Sequence, residues 1–378
     1  MYPPDQHASQ TDRSTPCVLV GPYLIGGCHP PVFWPDIDVY FQGDLNQAFH
    51  LIDKIAEAGG QFLKGAVLHR GSLCLKDARS ISYYNKNTEK LVSEPIENVI
   101  DRHVVPLEML HRVMSHARGT GLSLVLSVYD NEGLAFAKDV GALAIKIPSS
   151  NITHRSLIEV VAESALPMVI DTGRSMFCEI ERAVSWAQEK GAGARLIIQH
   201  SPPGPPAHAA RFHLRMMPHM SQVFSCPVGL SDHHSGLAML SLAVALGASV
   251  VEKGLVIDDA KADIDVAHAL PVSRLREALA ILDESWYALG ESIRPDADVS
   301  TNPVDRMCII AHRNIAEGDV ITRDAIDFAF PPVGIGAEDI DRLLGATAKV
   351  SILRGEPIKW LDVRSTERGE LSDQSGSC

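Results

Sequence analysis

No stretch of this 378-residue chain approaches the roughly 18 consecutive apolar residues that a membrane-spanning helix requires. Positive charge is also short. Lys and Arg total 34 against 47 Asp and Glu, giving a net charge of -13, which argues against a surface that tracks nucleic-acid phosphates. The acid excess reads instead as a solubility feature. Cysteines are few and unpaired in pattern: Cys17, Cys28, Cys74, Cys178, Cys226, Cys308 and Cys378 are odd in number and form no C-x-x-C. This pattern favours reduced thiols in a cytoplasm over a disulfide framework or a structural zinc site. The segment from Met1 to Pro16 has no apolar signal core and reads as a disordered lead-in over residues 1–16.

What is present is material for a large core: 46% of residues are hydrophobic and 21% charged. Short β-rich runs alternate with helical patterns. The runs are Leu19–Gly27, Phe62–Leu68, Leu122–Tyr129, Ala142–Pro148, Leu166–Thr172, Ala194–His200, Pro227–Asp232 and Ser249–Leu255. Between them apolar residues fall at helical spacing, as in Ala48, Leu51, Ile52, Ile55 and Ala56, or Ile180, Ala183, Val184 and Ala187. Strands alternating with helices imply parallel pairing with right-handed crossovers. Eight such units over residues 17–289 predict a closed (β/α)₈ TIM barrel. The one long excursion, Ser72 to Pro106, follows the second run and is expected over the barrel mouth.

Residues 290–305 are rich in Pro, Asp and Ser and read as a linker. An internal echo follows: Ala311-x-x-x-Ile315-x-x-Gly318-Asp319-x-Ile321 recurs as Ala348-x-x-x-Ile352-x-x-Gly355-Glu356-x-Ile358. It predicts a compact, pseudo-symmetric β-rich module over 306–363, with a disordered tail over 364–378.

Barrels of this kind place function at the C-terminal ends of their strands. There the chain carries Lys64, Ser127, Asp130, Lys146, Ser149, Asp171, Thr172, Gln199, His200, Ser231, Asp232, His233, Glu252 and Lys253. A lysine inside an apolar strand, as in Ala144-Ile145-Lys146-Ile147, must find a counter-charge. Two readings stay open: Lys64 and Lys146 meet an anionic ligand, or each is paired internally with a carboxylate such as Asp171 or Glu252. The run from Gly229 to Gly236 (GLSDHHSG) likewise suits a metal, an anion or proton transfer, or only the capping of a helix.

These residues carry a family resemblance. From about residue 43 to 363 the chain resembles the sialic acid synthases, which condense phosphoenolpyruvate with an amino sugar such as N-acetylmannosamine. Ile145-Lys146-Ile147-Pro148-Ser149-Ser150-Asn151 is similar to that family's Lys-Ile-x-Ser-Gly-Glu stretch, and Thr172-Gly173 to its Ser-Thr-Gly turn. Gly229-Leu230-Ser231-Asp232-His233 is similar to its Gly-x-Ser-Asp-His motif, Val251-Glu252-Lys253 to the strand that follows, and Asp265 to its Gly-Pro-Asp aspartate. The C-terminal module resembles the family's antifreeze-like (SAF) domain.

The resemblance implies that Lys64, Ser127, Lys146, Ser149 and Ser231 contact the phosphate or carboxylate of a phosphoenolpyruvate-like anion. Asn151, Asp171, Thr172, Gln199, His200, Glu252 and Phe330 complete the expected substrate site, while Lys64, His233 and Asp265 carry the chemistry. It further implies a divalent metal, manganese or magnesium, with His233 as one of two ligands. A domain-swapped homodimer is implied as well, in which the module of one chain covers the barrel of the other.

Departures from the pattern are specific. The second metal histidine is Gly254; the serine of Ser-Thr-Gly is Asp171; the arginine expected before Pro331 is Phe330. A first-strand glutamate is missing from Leu24-Ile25-Gly26-Gly27-Cys28. Without these residues the acceptor is expected to differ from N-acetylmannosamine. If a metal is held, His200 is the expected replacement ligand. Two alternatives remain: a lyase or aldolase-type enzyme using Lys64 or Lys146 as a Schiff base, and a non-catalytic sugar-binding pseudoenzyme.

Overall fold

The computed structural model describes residues 16–38, 40–41, 43–77, 79–85, 90–203, 207–258, 260, 268–290 and 306–364. The expected disordered ends, most of the linker and Asp265 lie outside them. The chain divides into two compact units, Met1–Gly290 and Glu291–Cys378.

The first unit opens with an antiparallel hairpin, β1 (Cys17–Val20) and β2 (Tyr23–Gly26), turning at Gly21-Pro22, where Gly21 takes φ +58°. The barrel then runs through β3 (Val32–Asp38) and β4 (Phe62–Val67). A second hairpin, β5 (Ser80–Asn85) and β6 (Lys90–Pro95), interrupts it. The barrel resumes with β7 (Ser123–Val128), β8 (Ala144–Ile147), β9 (Met168–Asp171), β10 (Leu196–His200), β11 (Val228–Asp232) and β12 (Val250–Val256). Every neighbouring pair is parallel, and β12 pairs with both β11 and β3, so the sheet closes.

The expected closed barrel is therefore present, with one correction. The first barrel strand is β3, not the run Leu19–Gly27, which forms the β1–β2 hairpin. Pro35, Asp36 and Asp38 disguise β3, because proline lacks the ladder N–H and aspartate is depleted in strands. The hairpin instead plugs the barrel. Its Val18, Val20 and Ile25 pack with Trp34, Phe62, Val125, Ala144, Val169, Ile197 and Val250, residues from the N-terminal halves of the strands. One end is thus sealed by apolar contacts, which leaves the other for chemistry.

Helices cover the outside on the faces their spacing predicts. Helix Leu45–Glu57 buries Ala48, Leu51, Ile52 and Ile55, and Asp44 caps it by accepting from the N–H groups of Asn46 and Gln47. Helix Phe177–Glu189 buries Ile180, Ala183, Val184 and Ala187. No helix among the described residues is long and apolar enough to cross a membrane.

In the second unit, β14 (Cys308–Ala311) pairs with β15 (Ile326–Ala329), and β16 (Thr347–Ala348) with β17 (Val363–Arg364). (The short β13, Leu270–Pro271, ends the barrel sheet beside β12.) The sequence echo becomes reciprocal hydrogen bonding. Gly318 N–H donates to the Ala348 carbonyl, and Gly355 N–H donates to the Ala311 carbonyl. Ile315 and Ile352 exchange both backbone bonds at 2.9 Å. Both echo glycines take positive φ, +91° and +86°, where a side chain would be strained.

Candidate active site

The strand ends surround a cavity of about 540 Å³. Of the expected site residues, Lys64, Ser127, Lys146, Ser149, Asp171, Ser231, His233 and Glu252 line it. They are brought together by parallel register. Ser127 sits opposite Lys146, Ser231 opposite Glu252, and Asp36 opposite Lys64 on adjacent strands.

Others lie elsewhere. Thr172 Oγ1 donates to the Gln199 carbonyl at 3.2 Å, and the Asn151 side-chain amide donates to the Tyr129 carbonyl at 3.3 Å. Gln199 stands behind the cavity wall, donating to Glu252 Oε2 at 3.2 Å. His200 is buried away from the cavity with Nε2 donating to the Phe212 carbonyl at 2.5 Å. Phe330 is on the second unit, 59% exposed.

The cavity also holds residues that sequence reasoning missed: Asp36, Asp38 and His268. The first two place the first-strand carboxylates on β3, not on residues 24–28. Asp36 of β3 is buried and pairs with Lys64 Nζ at 3.1 Å. Its signal was the pair of aspartates in Phe33-Trp34-Pro35-Asp36-Ile37-Asp38. Ladder register slips between Asp36 and Asp38, and Asp38 takes φ +36°, a bulge that re-aims side chains at the mouth.

Of the two open readings for the lysines, internal pairing is what the structure contains. Lys146 Nζ lies 2.9 Å from Asp171 Oδ2 and 2.6 Å from Glu252 Oε1. Glu252 Oε1 also accepts from Ser231 Oγ at 3.1 Å. Burial alone would raise the Glu252 carboxyl, but the charges of Lys146 and Lys64 and the hydrogen bonds from Lys146 and Gln199 outweigh it and hold it near 2. Burial would lower Lys146, yet Asp171 and Glu252 more than compensate, so its ammonium is held charged. Lys64 is likewise raised well above its ordinary value, Asp36 overcoming its desolvation. At Asp36 burial prevails over the attraction of Lys64 and pushes the carboxyl up to about 7.

The Gly229–Gly236 run divides by alternation. Ser231 and His233 face the cavity, with His233 Nε2 3.5 Å from Ser231 Oγ. Asp232 points the other way and pairs with Lys253 at 2.9 Å, and Lys253 also donates to the His234 carbonyl at 2.6 Å. His234 Nδ1 accepts from Gly236 N–H. Half the run is thus site and half is scaffold. Burial pushes the His233 imidazole down, keeping it neutral and able to ligate, and its Nδ1 has no hydrogen-bond partner among the described residues.

A closed (β/α)₈ barrel whose mouth gathers two buried lysines, six serines and a neutral histidine, followed by a β-rich module, defines a synthase-type architecture. The chain belongs to the NeuB family, whose model matches residues 51–294, and a SAF domain matches residues 306–364. It is 25% identical over 324 residues to the N,N'-diacetyllegionaminic acid synthase of Campylobacter jejuni, covering 85% of this chain and 96% of that protein. It is 23% identical over 348 residues to the human N-acetylneuraminate-9-phosphate synthase, covering 88% of this chain and 93% of that one. Its fold is similar to a sialic acid synthetase from Leptospira borgpetersenii solved with citrate. There the TM-score is 0.65 at 22% identity, over 74% of this chain and 93% of that one. The sugar-acid synthase relationship thus holds across both units.

Proposed function

We propose that this protein condenses phosphoenolpyruvate, or a related three-carbon enol, with an aldehyde sugar other than N-acetylmannosamine. The observation that carries this reading is the convergence of Lys64 and Lys146 with Ser127, Ser149 and Ser231 on one cavity. Two ammonium groups and three hydroxyls suit a ligand bearing both a carboxylate and a phosphate. In the reaction, C3 of the enol bonds to the aldehyde carbon, whose oxygen takes a proton. Water adds at C2, the C2–O bond to phosphorus breaks, and a 2-keto acid and inorganic phosphate leave.

Each group has a part. Lys64 and Lys146 neutralise the anion, the serines orient it, and Asp36, at about 7, is placed to receive or return a proton at the enol or the attacking water, while the ionised Glu252 holds Lys146 and Ser231 in position. A divalent ion, manganese or magnesium, would be held at His233, whose neutral imidazole has a spare nitrogen. Such an ion polarises an aldehyde oxygen. Phe330, where the resemblance expects a sugar-contacting arginine, supports a changed acceptor, while Asp171, where it expects serine, sets a negative charge beside the donor's anion.

The raised Lys64 and Lys146 argue against a Schiff base, which needs a neutral amine. A carboxylate excess in the mouth (Asp36, Asp38, Asp171, Glu179 and Glu252 against Lys64, Lys146 and Arg174) favours the second reading, a sugar-binding scaffold without turnover. Phosphate released from phosphoenolpyruvate only when an aldehyde sugar is present separates them. Absence of release with every aldehyde, together with sugar binding by calorimetry, would favour the scaffold.

The pairing of Asp36 with Lys64 makes anion binding pH-dependent. An anion beside Lys64 favours the protonated form of Asp36, as do Asp38 and Glu252, so binding takes up a proton. Affinity for sulfate, whose charge is constant here, is expected to rise about tenfold as pH falls from about 8 to 6 through the Asp36 value of about 7. Asp36→Asn should flatten this profile in calorimetric titrations; an unchanged slope would exclude Asp36 as its origin.

The assembly proposed is a domain-swapped homodimer, residues 306–363 of one chain covering the barrel mouth of its partner. Light scattering is expected to give twice the chain mass of 41.0 kDa, and a monomer would contradict it. The six described cysteines are all free thiols, which supports a reducing cytoplasm as the working compartment.

A further inference from the structure

Gly254 removes the histidine that the family resemblance places on β12, yet the volume beside it is not empty. A Cβ at Gly254 would lie 3.4 Å from His268 Nε2, 3.3 Å from Ala269 Cβ and 3.2 Å from Tyr40 Cε2. His268 reaches this place from the other side. It precedes β13, whose Leu270 pairs with Leu255 of β12, the residue after Gly254. The strand pairing therefore returns the chain to the vacated position and delivers an imidazole there. His268 is buried, lines the same cavity as His233, and its ring centre lies 4.7 Å from that of His233. Two imidazoles sharing one first-row metal at about 2.1 Å have ring centres roughly 4.5–5.5 Å apart.

We propose that His268 has taken over the role of the missing strand histidine and, with His233, forms a relocated two-imidazole site for a first-row divalent metal. This rests on the synthase reading above. The two positions exclude one another, since an imidazole at 254 would collide with the ring of His268. That is why glycine is required at 254 once the ligand comes from 268. His200, the replacement expected from the sequence, does not serve: its Nε2 is committed to the Phe212 carbonyl and it does not line the cavity. Two protein nitrogens leave the remaining coordination positions to water and the acceptor, as a catalytic metal needs.

The test is metal binding by the full chain after chelator treatment, read by manganese titration calorimetry and by the cobalt(II) absorption spectrum. One manganese per chain is expected. His233→Ala and His268→Ala should each weaken binding at least about tenfold. His268→Phe keeps the ring volume and should lose affinity equally, so a thermal melt matching the unmodified protein removes unfolding as the cause. His200→Ala should leave manganese affinity unchanged. Gly254→His together with His268→Ala should recover affinity, because the ligand returns to the strand. No manganese binding by the unmodified chain, or His268 variants that bind as tightly as it does, overturns the proposal. If phosphate release persists while His268 variants titrate normally, only the relocation fails. If metal binds as expected and no aldehyde releases phosphate, the condensation reading fails and the site stands.

Discussion

Replacing Lys146 with Met is expected to lower the unfolding free energy by about 3–5 kcal/mol and to abolish anion binding. The reason is the pair of carboxylates the lysine holds, Asp171 at 2.9 Å and Glu252 at 2.6 Å, all three buried. Without the ammonium, two negative charges face one another in a site of low polarity, and one must take up a proton. Chemical denaturation reads the stability and calorimetry with phosphoenolpyruvate reads the binding. Lys146→Arg, which keeps the charge, should retain most of the stability. A Met variant as stable as the unmodified chain would mean that the three charges are not coupled as the distances imply.

Asp171→Ser is expected to act in the opposite sense on the ligand. It restores the hydroxyl the family resemblance expects and removes one of the two charges that occupy Lys146. A unit charge roughly 5–6 Å from a bound anion, at the effective screening of a protein site, is worth about 3 kcal/mol. Phosphoenolpyruvate affinity should therefore rise by about ten- to a hundredfold once some of that is lost to relaxation. Lys146 keeps Glu252 as partner, and the serine hydroxyl can accept from Gly173 N–H, which Asp171 Oδ1 now does at 2.9 Å. Unchanged affinity would show that Asp171 does not oppose the anion, and that its pairing with Lys146 is structural alone.

Much of this barrel is legible because strands buried on both faces read as continuous apolar runs, and β4 and β7–β12 do so. The strand that was not legible, β3, is interrupted by Pro35 and by the acids the mouth requires, so function obscured its pattern. Position along a strand correctly put Lys64, Lys146, Ser231 and Glu252 at one cavity. It could not say that Lys146 and Glu252 touch, since they are 106 residues apart and meet only through closure of the barrel. Nor does spacing reveal which way a ring turns. His200 ends β10 as a ligand would, yet its nitrogen goes to the Phe212 carbonyl. His268 follows no period and is brought in by the β12–β13 pairing, a tertiary fact with no local signal.

The central claim, that this mouth joins a three-carbon enol to an aldehyde with cleavage at C2, is tested most directly by an isotope. Phosphoenolpyruvate carrying ¹⁸O at the oxygen bridging C2 and phosphorus is incubated with the protein and a panel of aldehyde amino sugars, and both products are weighed by mass spectrometry. The account predicts that all the label leaves in the phosphate, and that one sugar gains the mass of a pyruvate unit. Label left in free pyruvate, with unlabelled phosphate and no heavier sugar, would mean simple hydrolysis at phosphorus and would contradict it.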